Sequence, residues 1–336
     1  MITLEKLKEV QRKMKREKLD YLLAFDPTSI AYISGIPLSL STSPVPALAI
    51  IPSKGKIELR LYEGDWDKAH IDERTTELAP SNWEVSLEGE IGVESFVPAY
   101  LLEHEYYKKL EMKPVKILAE SMRRKTKEEI DLMREAGEQV DELIEFAMGN
   151  LDLPEQNLAY LLMSHCEMGG MKHWPPPIVS YDENSARMRR GKLDMHPELT
   201  EKEFEKHVLL DIYPCYRGYH VDASFTYSKI PEVVEKVIPK VRETLEELVD
   251  MATPGTSVKE FQMIAEEKLG EKMRHGVIHG IGVLLHEPLG ATLEKGNVVA
   301  IEPAIYIENK YGVRLETTVV VDDVPEVLIQ APFIWT

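Results

Sequence analysis

Two pairs of acidic residues sit inside apolar stretches, where an unpartnered charge is costly. Asp211 and Asp222 lie in Val208-Leu-Leu-Asp211-Ile-Tyr-Pro-Cys-Tyr-Arg-Gly218-Tyr-His-Val-Asp222. A reversal between Tyr216 and Arg217, beside Gly218, would set the two carboxylates opposite each other on one face of an antiparallel hairpin. Glu302 and Glu316 are likewise symmetric about Asn309, with Lys310 and Gly312 supplying turn chemistry. Like charges directly opposite destabilise a hairpin, and a bound cation removes the conflict. Between the pairs runs His275-Gly-Val-Ile-His279-Gly-Ile-Gly282, where Gly280 and Gly282 permit a tight turn that leaves the His279 imidazole accessible. Four carboxylates and one imidazole suit two divalent ions such as Mn, Co, Fe or Zn. So much oxygen disfavours a thiolate-type site, and the residue set does not choose among the four metals. One strand carboxylate usually faces solvent, and one histidine in apolar sequence usually packs in a core. Two pairs, each symmetric about its own turn, favour the cation site.

The elements that must position these residues can be read from periodicity. Leu4, Leu7, Val10 and Met14 recur at helical spacing over residues 4–18. Short apolar runs at Tyr21–Phe25, Ala47–Ile51, Ile57–Leu61 and Ile91–Val93 read as strands, the first closed by Asp26-Pro27-Thr28. Strands alternating with helical patterns predict an α/β domain over 1–118. A second domain, 119–336, has its first long helix after Arg123-Arg124-Lys125, announced by a capping box of Thr126 with Glu129. Ile130, Met133, Gly137, Val140, Ile144 and Met148 mark its inner side. Pro154 suits the first turn of the next helix, which stops near Gly169-Gly170. Ser257 and Glu260 predict another capping box before Phe261, Ile264, Ala265 and Leu269. Strands are expected at Val208–Tyr213, His220–Tyr227, Val298–Ile307 and Val313–Val321.

Composition narrows the function classes. The chain has 336 residues, enough for two domains, and 43% of them are hydrophobic, enough for real cores. With 58 Asp+Glu against 40 Lys+Arg its formal net charge is −18, which repels phosphate backbones and argues against nucleic acid as a partner. Cys166 and Cys215 make no disulfide framework and have no metal-ligand spacing. The first residues read as an amphipathic helix rather than a signal peptide, and no apolar run approaches a membrane span. A soluble cytoplasmic protein with no membrane partner is expected.

On these residues the chain resembles the pita-bread metallopeptidases, the family of methionine aminopeptidase, aminopeptidase P and Xaa-Pro dipeptidase (prolidase). Leu19-Asp-Tyr-Leu-Leu and Asp26-Pro-Thr-Ser-Ile-Ala-Tyr-Ile-Ser-Gly35 resemble the N-terminal domain shared by creatinase and prolidase, and Arg123 through Ala136 resembles the start of the catalytic domain. The family's five metal ligands fall in order on Asp211, Asp222, His279, Glu302 and Glu316. Its second, substrate-contacting histidine falls on His286, followed by Glu287-Pro288. The implied fold is an α/β N-terminal domain followed by an α+β pita-bread catalytic domain with an antiparallel sheet. Size and layout are most similar to an Xaa-Pro dipeptidase, and relatives of that kind usually form homodimers.

The resemblance implies a dinuclear metal hydrolase that cleaves the amide bond of Xaa-Pro dipeptides or short peptides. Asp222 and Glu316 would bridge the ions, with Asp211 on one and His279 with Glu302 on the other. Glu302 would also move the proton from attacking water to leaving nitrogen, and His286 would hydrogen-bond the substrate. Arg314, two residues before Glu316, shares its strand face and could orient the carboxylates. The departures are as specific as the matches. Where prolidases carry a histidine shortly after a stretch like Glu183-Asn-Ser-Ala186, this chain has Arg189. Ile278 and Tyr213 replace two glycines, and the arginine expected after the second histidine is missing from Glu287-Pro-Leu-Gly290. Arg189 could bind a substrate carboxylate or oxyanion, or could face solvent in the basic stretch Arg187-Met-Arg-Arg190-Gly-Lys192. These changes leave two alternatives to the peptidase: a peptide-binding protein without peptidase activity, and a metal-dependent amidohydrolase acting on a non-peptide substrate.

Overall fold

The computed structural model describes residues 4–34, 48–60, 75–79, 86–94, 97, 99, 103, 105–173, 175–187 and 199–334. The chain forms two compact units, Met1–Met122 and Arg123–Thr336. In the first, a helix at Leu4–Arg16 buries Leu7, Val10 and Met14, while Leu4 at the end of the predicted stripe stays exposed. Strands β1 (Tyr21–Ala24), β2 (Leu48–Pro52), β3 (Ile57–Arg60), β4 (Thr75–Ala79), β5 (Ile91–Val93) and β6 (Met112–Pro114) form one sheet ordered β4-β3-β2-β1-β5-β6. The hairpin pairs β1–β2 and β2–β3 are antiparallel, whereas β5 and β6 add in parallel. Helical crossings permit such parallel additions, so the α/β character follows from the alternation of elements.

In the second unit the capping box is present. Glu129 N donates to Thr126 Oγ1, and Thr126 N donates to Glu129 Oε2, at the start of the helix Lys127–Met148. That helix buries Met133, Gly137, Val140 and Ile144 as its periodicity requires. Two helix starts differ from expectation. Pro154 is the N-cap of Glu155–Met168 rather than a residue of its first turn. Ser257 makes no side-chain cap for the helix Val258–Leu269, so the predicted second capping box is absent.

Of the strands carrying the acids, that of Asp211 is continuous, whereas those of Asp222, Glu302 and Glu316 are interrupted where continuity was expected. Strand β7 (Ile178–Tyr181) flanks β8 (His207–Ile212), which pairs with β11 (Ala223–Ser228); the hairpin tip is β9 (Cys215–Tyr216) with β10 (Tyr219–His220). Strand β12 (Ile278–Gly280) pairs with β13 (Val298–Ile301), β13 with β16 (Thr317–Val320), and β16 with β17 (Glu326–Val327). Strands β14 (Ala304–Ile307) and β15 (Tyr311–Arg314) complete the second hairpin. Ile301 opposes Thr317 and Ala304 opposes Arg314, so the shared register sets Glu302 opposite Glu316, as their symmetry about Asn309 predicted. The first hairpin differs. Asp211 opposes Ser224, not Asp222, because the chain reverses over Arg217-Gly218, one residue later than expected. Both turn residues have positive φ (48° and 90°), the requirement of a two-residue turn matched to strand twist, and glycine supplies one of them without strain. Asp222 therefore lies two positions along the face from the residue opposite Asp211.

One buried acid in the first unit yields a stability prediction. Glu94 accepts the Leu118 N–H at 2.7 Å, capping the helix Ile117–Met122. Burial, only partly opposed by that bond and reinforced by the charge of Asp26, pushes its carboxyl up to about 7. A folded-state value above the unfolded one stabilises at low pH and is lost as pH rises from about 4.5 to about 7. Relative to Glu94→Gln, the native protein should lose up to about 3 kcal/mol across that window. Amide hydrogen exchange of Ile117–Met122 in both proteins checks this; parallel pH profiles would remove the assignment.

Candidate metal centre

Three of the four predicted site acids, Asp222, Glu302 and Glu316, fall at strand interruptions, and the backbone N–H of each bonds to a separate segment. Glu302 N donates to Val277 O at 2.8 Å, Glu316 N to Ser224 O at 3.0 Å, and Asp222 N to Thr318 Oγ1 at 2.9 Å. The two hairpins are thereby laced together, and His279 on β12 lies against them. His279 Nε2 is 3.8 Å from Asp222 Oδ2, 3.6 Å from Glu302 Oε1 and 3.7 Å from Glu316 Oε1. These gaps are too long for hydrogen bonds. They match atoms that share one small cation, since tetrahedral ligands at ordinary zinc distances stand about 3.4 Å apart. Asp222 Oδ1, His279 Nε2 and Glu316 Oε1 are buried without a hydrogen-bond partner. The ligand atoms of Asp222, His279 and Glu316 all lie within 4.8 Å of one another. Buried, mutually facing acceptors with nothing donating to them fit a divalent cation.

The electrostatics show the same deficit of positive charge. Burial, then Glu316 and Asp211, hold the Asp222 carboxyl well above its usual range. Burial and Glu316 push Glu302 up to about 8. Burial alone would depress His279, but the carboxylates of Glu316 and Glu302 reverse this and raise it to about 9. Glu316 is the exception: burial raises it, yet His279 and Arg314 bring it below the ordinary value. Protons here partly replace cations. Binding of divalent ions would therefore release them.

Arg314 lies where its strand phase placed it. It is 2% exposed, pairs through Nη2 with Asp211 Oδ2, donates from Nε to Ser224 Oγ at 2.6 Å, and reaches Tyr306 Oη from Nη1 at 3.2 Å. Ser224 Oγ in turn donates a hydrogen bond to Glu316 Oε2 at 2.6 Å. The register shift explains this arrangement: Ser224, facing Asp211, links both hairpins through Arg314. His275 was missed as a site residue, although it lies one helical turn's spacing before His279 in the same glycine-flanked segment. Its Nδ1 is 3.3 Å from Glu302 Oε2 and its Nε2 is 3.0 Å from Tyr306 Oη. Burial and the Arg314 charge lower its imidazole to about 4, so it stays neutral. Ser224 and Tyr306 gave no sequence signal beyond their strand phase.

His286 stands beside the cluster, its ring 4.4 Å from that of His279 at 63°. Arg189 lies outside the described residues. The turn leading toward it, Asp182–Ala186, is held by buried Glu155, which accepts from Tyr181 N at 2.6 Å and from Asn184 Nδ2 at 3.0 Å. Tyr213 fills the core: its hydroxyl donates to Pro176 O at 2.6 Å and its ring packs on His173. Ile278 pairs with Ile301 in the sheet.

An antiparallel pair of hairpins holding a buried acidic cluster, following in the chain a mixed α/β N-terminal unit, defines a pita-bread metallopeptidase of the prolidase kind. The chain belongs to metallopeptidase family M24, whose pattern matches residues 131–323, and residues 6–125 match the creatinase/prolidase N-terminal domain. It is 25% identical over 345 residues to an Xaa-Pro dipeptidase of Pyrococcus furiosus, covering 95% of each chain. It is 29% identical over 281 residues to an uncharacterized peptidase of Methanocaldococcus jannaschii, covering 76% of this chain and 78% of that one. The prolidase of Pyrococcus horikoshii shares the fold with a TM-score of 0.82 at 23% identity, over 96% of this chain and 97% of that one.

Ser224→Ala tests the link between the hairpins. It leaves Arg314 Nε and Glu316 Oε2 without their shared hydroxyl and should cost about 1–3 kcal/mol in denaturant unfolding. Divalent-ion affinity measured by calorimetry should fall about 10–100-fold. Unchanged affinity would show that the hydroxyl does not orient Glu316.

Proposed function

We propose that this protein is a dinuclear metal-dependent peptidase that cleaves the amide bond of Xaa-Pro dipeptides or short peptides. The observation that carries the reading is the buried Asp222–His279–Glu316 group with Glu302 at 3.6 Å from the same imidazole nitrogen. Asp222 and Glu316 would hold both ions, Asp211 one of them, and His279 with Glu302 the other; Mn, Co, Fe and Zn all suit the donor set. When bound, such ions would supply an acidified water and polarisation of the scissile carbonyl.

The remaining work falls to side chains. Glu302 would accept the proton of the attacking water and deliver it to the leaving nitrogen. His275 and Tyr306 hold that carboxylate's surroundings in one arrangement through their contact at 3.0 Å. His286 hydrogen-bonds the substrate from the exposed side of the His279 ring. Arg189 takes the substrate carboxylate or the developing oxyanion, in place of the histidine and arginine that prolidases carry. A cytoplasmic homodimer belongs to this reading and rests on the family resemblance; among the described residues no helix is long and apolar enough to cross a membrane.

Xaa-Pro dipeptides, longer Xaa-Pro peptides and a non-proline dipeptide, assayed with added Mn or Co, test the reading. Turnover of the first two and not the third is expected. Cleavage of none of them by metal-loaded protein would overturn it and favour the peptide-binding or non-peptide alternatives, to which the replacement at Arg189 points. In Arg189→Ala, kcat/KM should fall about 100-fold for loss of a charged contact. Unchanged turnover and affinity would remove Arg189 from the site.

A further inference from the structure

A buried ion pair lies outside the acidic cluster and is used by nothing described so far. Lys125 Nζ donates to Glu287 Oε2 at 2.5 Å, and each side chain is 1% exposed. The two residues are 162 positions apart in the chain. An ion pair so deeply buried gains little net stability over a packed apolar pair, so its retention points to a task of position.

The surroundings show what is positioned. Glu287 Oε1 accepts the backbone N–H of Val283 at 2.8 Å, and the backbones of Gly280 and Glu287 bond to each other in both directions, at 3.2 and 2.7 Å. Residues 280–287 thus form a ring closed at its neck and braced across its middle by one carboxylate. In an antiparallel bridge, the residues preceding each partner point to the face opposite the partners' own side chains. Those residues are His279 and His286, whose rings touch. The Glu287 carboxylate faces the other way, onto Lys125.

Lys125 is itself held in place. Its backbone N–H donates to Gly296 O at 2.7 Å, and it immediately precedes the capping box of Thr126 and Glu129. Glu129 Oε1 also accepts from Tyr219 Oη at 3.0 Å, and the next residue, His220, donates its N–H to Gly282 O at 2.7 Å. Gly282 is the position where a side chain would meet the lysine: a Cβ there would lie 2.6 Å from Lys125 Cε. The lysine thus ties the helix start to the 280–287 ring, and the tip of the first hairpin bonds to both at Glu129 and Gly282.

We propose that Lys125 is a positioning residue which, by pinning Glu287, holds His286 beside His279 on the face where substrate binds. The substrate role of His286 rests on the peptidase reading above; the pinning of the loop does not.

The test uses the full-length, metal-loaded protein and four variants: Lys125→Met, the charge-balanced Lys125→Met/Glu287→Gln, His286→Ala and Lys125→Met/His286→Ala. The charge-balanced variant keeps the experiment decisive if Lys125→Met alone does not fold. Hydrogen exchange of the Val283 and Leu284 amides should rise at least about tenfold in both lysine variants, with metal content unchanged. With an Xaa-Pro dipeptide, kcat/KM should fall by the same factor in Lys125→Met as in His286→Ala, and the double variant should be no worse than either alone. Full recovery of kcat/KM and slow exchange in the charge-balanced variant would overturn the proposal, because it would reduce the pair to neutralising one buried charge. Multiplying effects of Lys125→Met and His286→Ala, or lost metal, would also overturn it. If the wild-type protein cleaves no Xaa-Pro peptide, the function reading fails, while the exchange data still decide whether Lys125 orders the loop.

Discussion

Mutual repulsion among buried carboxylates is the constraint around which the second unit is arranged. Asp211, Asp222, Glu302 and Glu316 are all at most 8% exposed, and Arg314, His279 and His275 are set directly against them. Such a cluster can persist only with protons, cations or both. Asp222, Glu302 and Glu316 sit at strand interruptions, and there the backbone N–H groups of Asp222 and Glu316 bond across to the other hairpin.

Much of this was legible from spacing, and the reasons differ between the two hairpins. Glu302 and Glu316 flank a short turn around Asn309 that adds no register shift, so symmetry alone gives their pairing in spite of Pro303. Asp211 and Asp222 are separated by Pro214 and by a turn that needs two left-handed residues. Gly218 announces one of these; Arg217 at φ 48° announces nothing, because any non-glycine residue there is unexpected. The reversal shifts by one residue, and the pairing by two. Ser224 is brought opposite Asp211 by that shift, and its hydroxyl bond to Glu316 follows from a tertiary arrangement that no local pattern encodes. Likewise the capping box at Thr126 formed, whereas the one at Ser257 did not: the motif permits a cap, and neighbouring contacts decide whether it is made.

The N-terminal unit was the easier half, since an amphipathic helix and short apolar strands carry their phase in a few residues. What spacing could not supply in either unit was the set of polar groups that support the acids from behind. Tyr306, His275 and Ser224 are ordinary strand and loop residues until the hairpins dock. Arg314 was visible only because strand geometry ties it to Glu316.

The ties that complete the centre are strongly non-local: Ser224 to Glu316 spans 92 positions, and Asp211 to Arg314 spans 103. Closing loops of that length is slow compared with forming helices or local turns. The donor set therefore comes into being late in folding, and an unfolded or half-folded chain presents only scattered carboxylates with little chelating power. Free energy of ion capture is then available mainly to the finished fold, so it acts as a terminal latch rather than as a nucleus. The geometry that would discriminate among ions thus exists only where these distant segments have met.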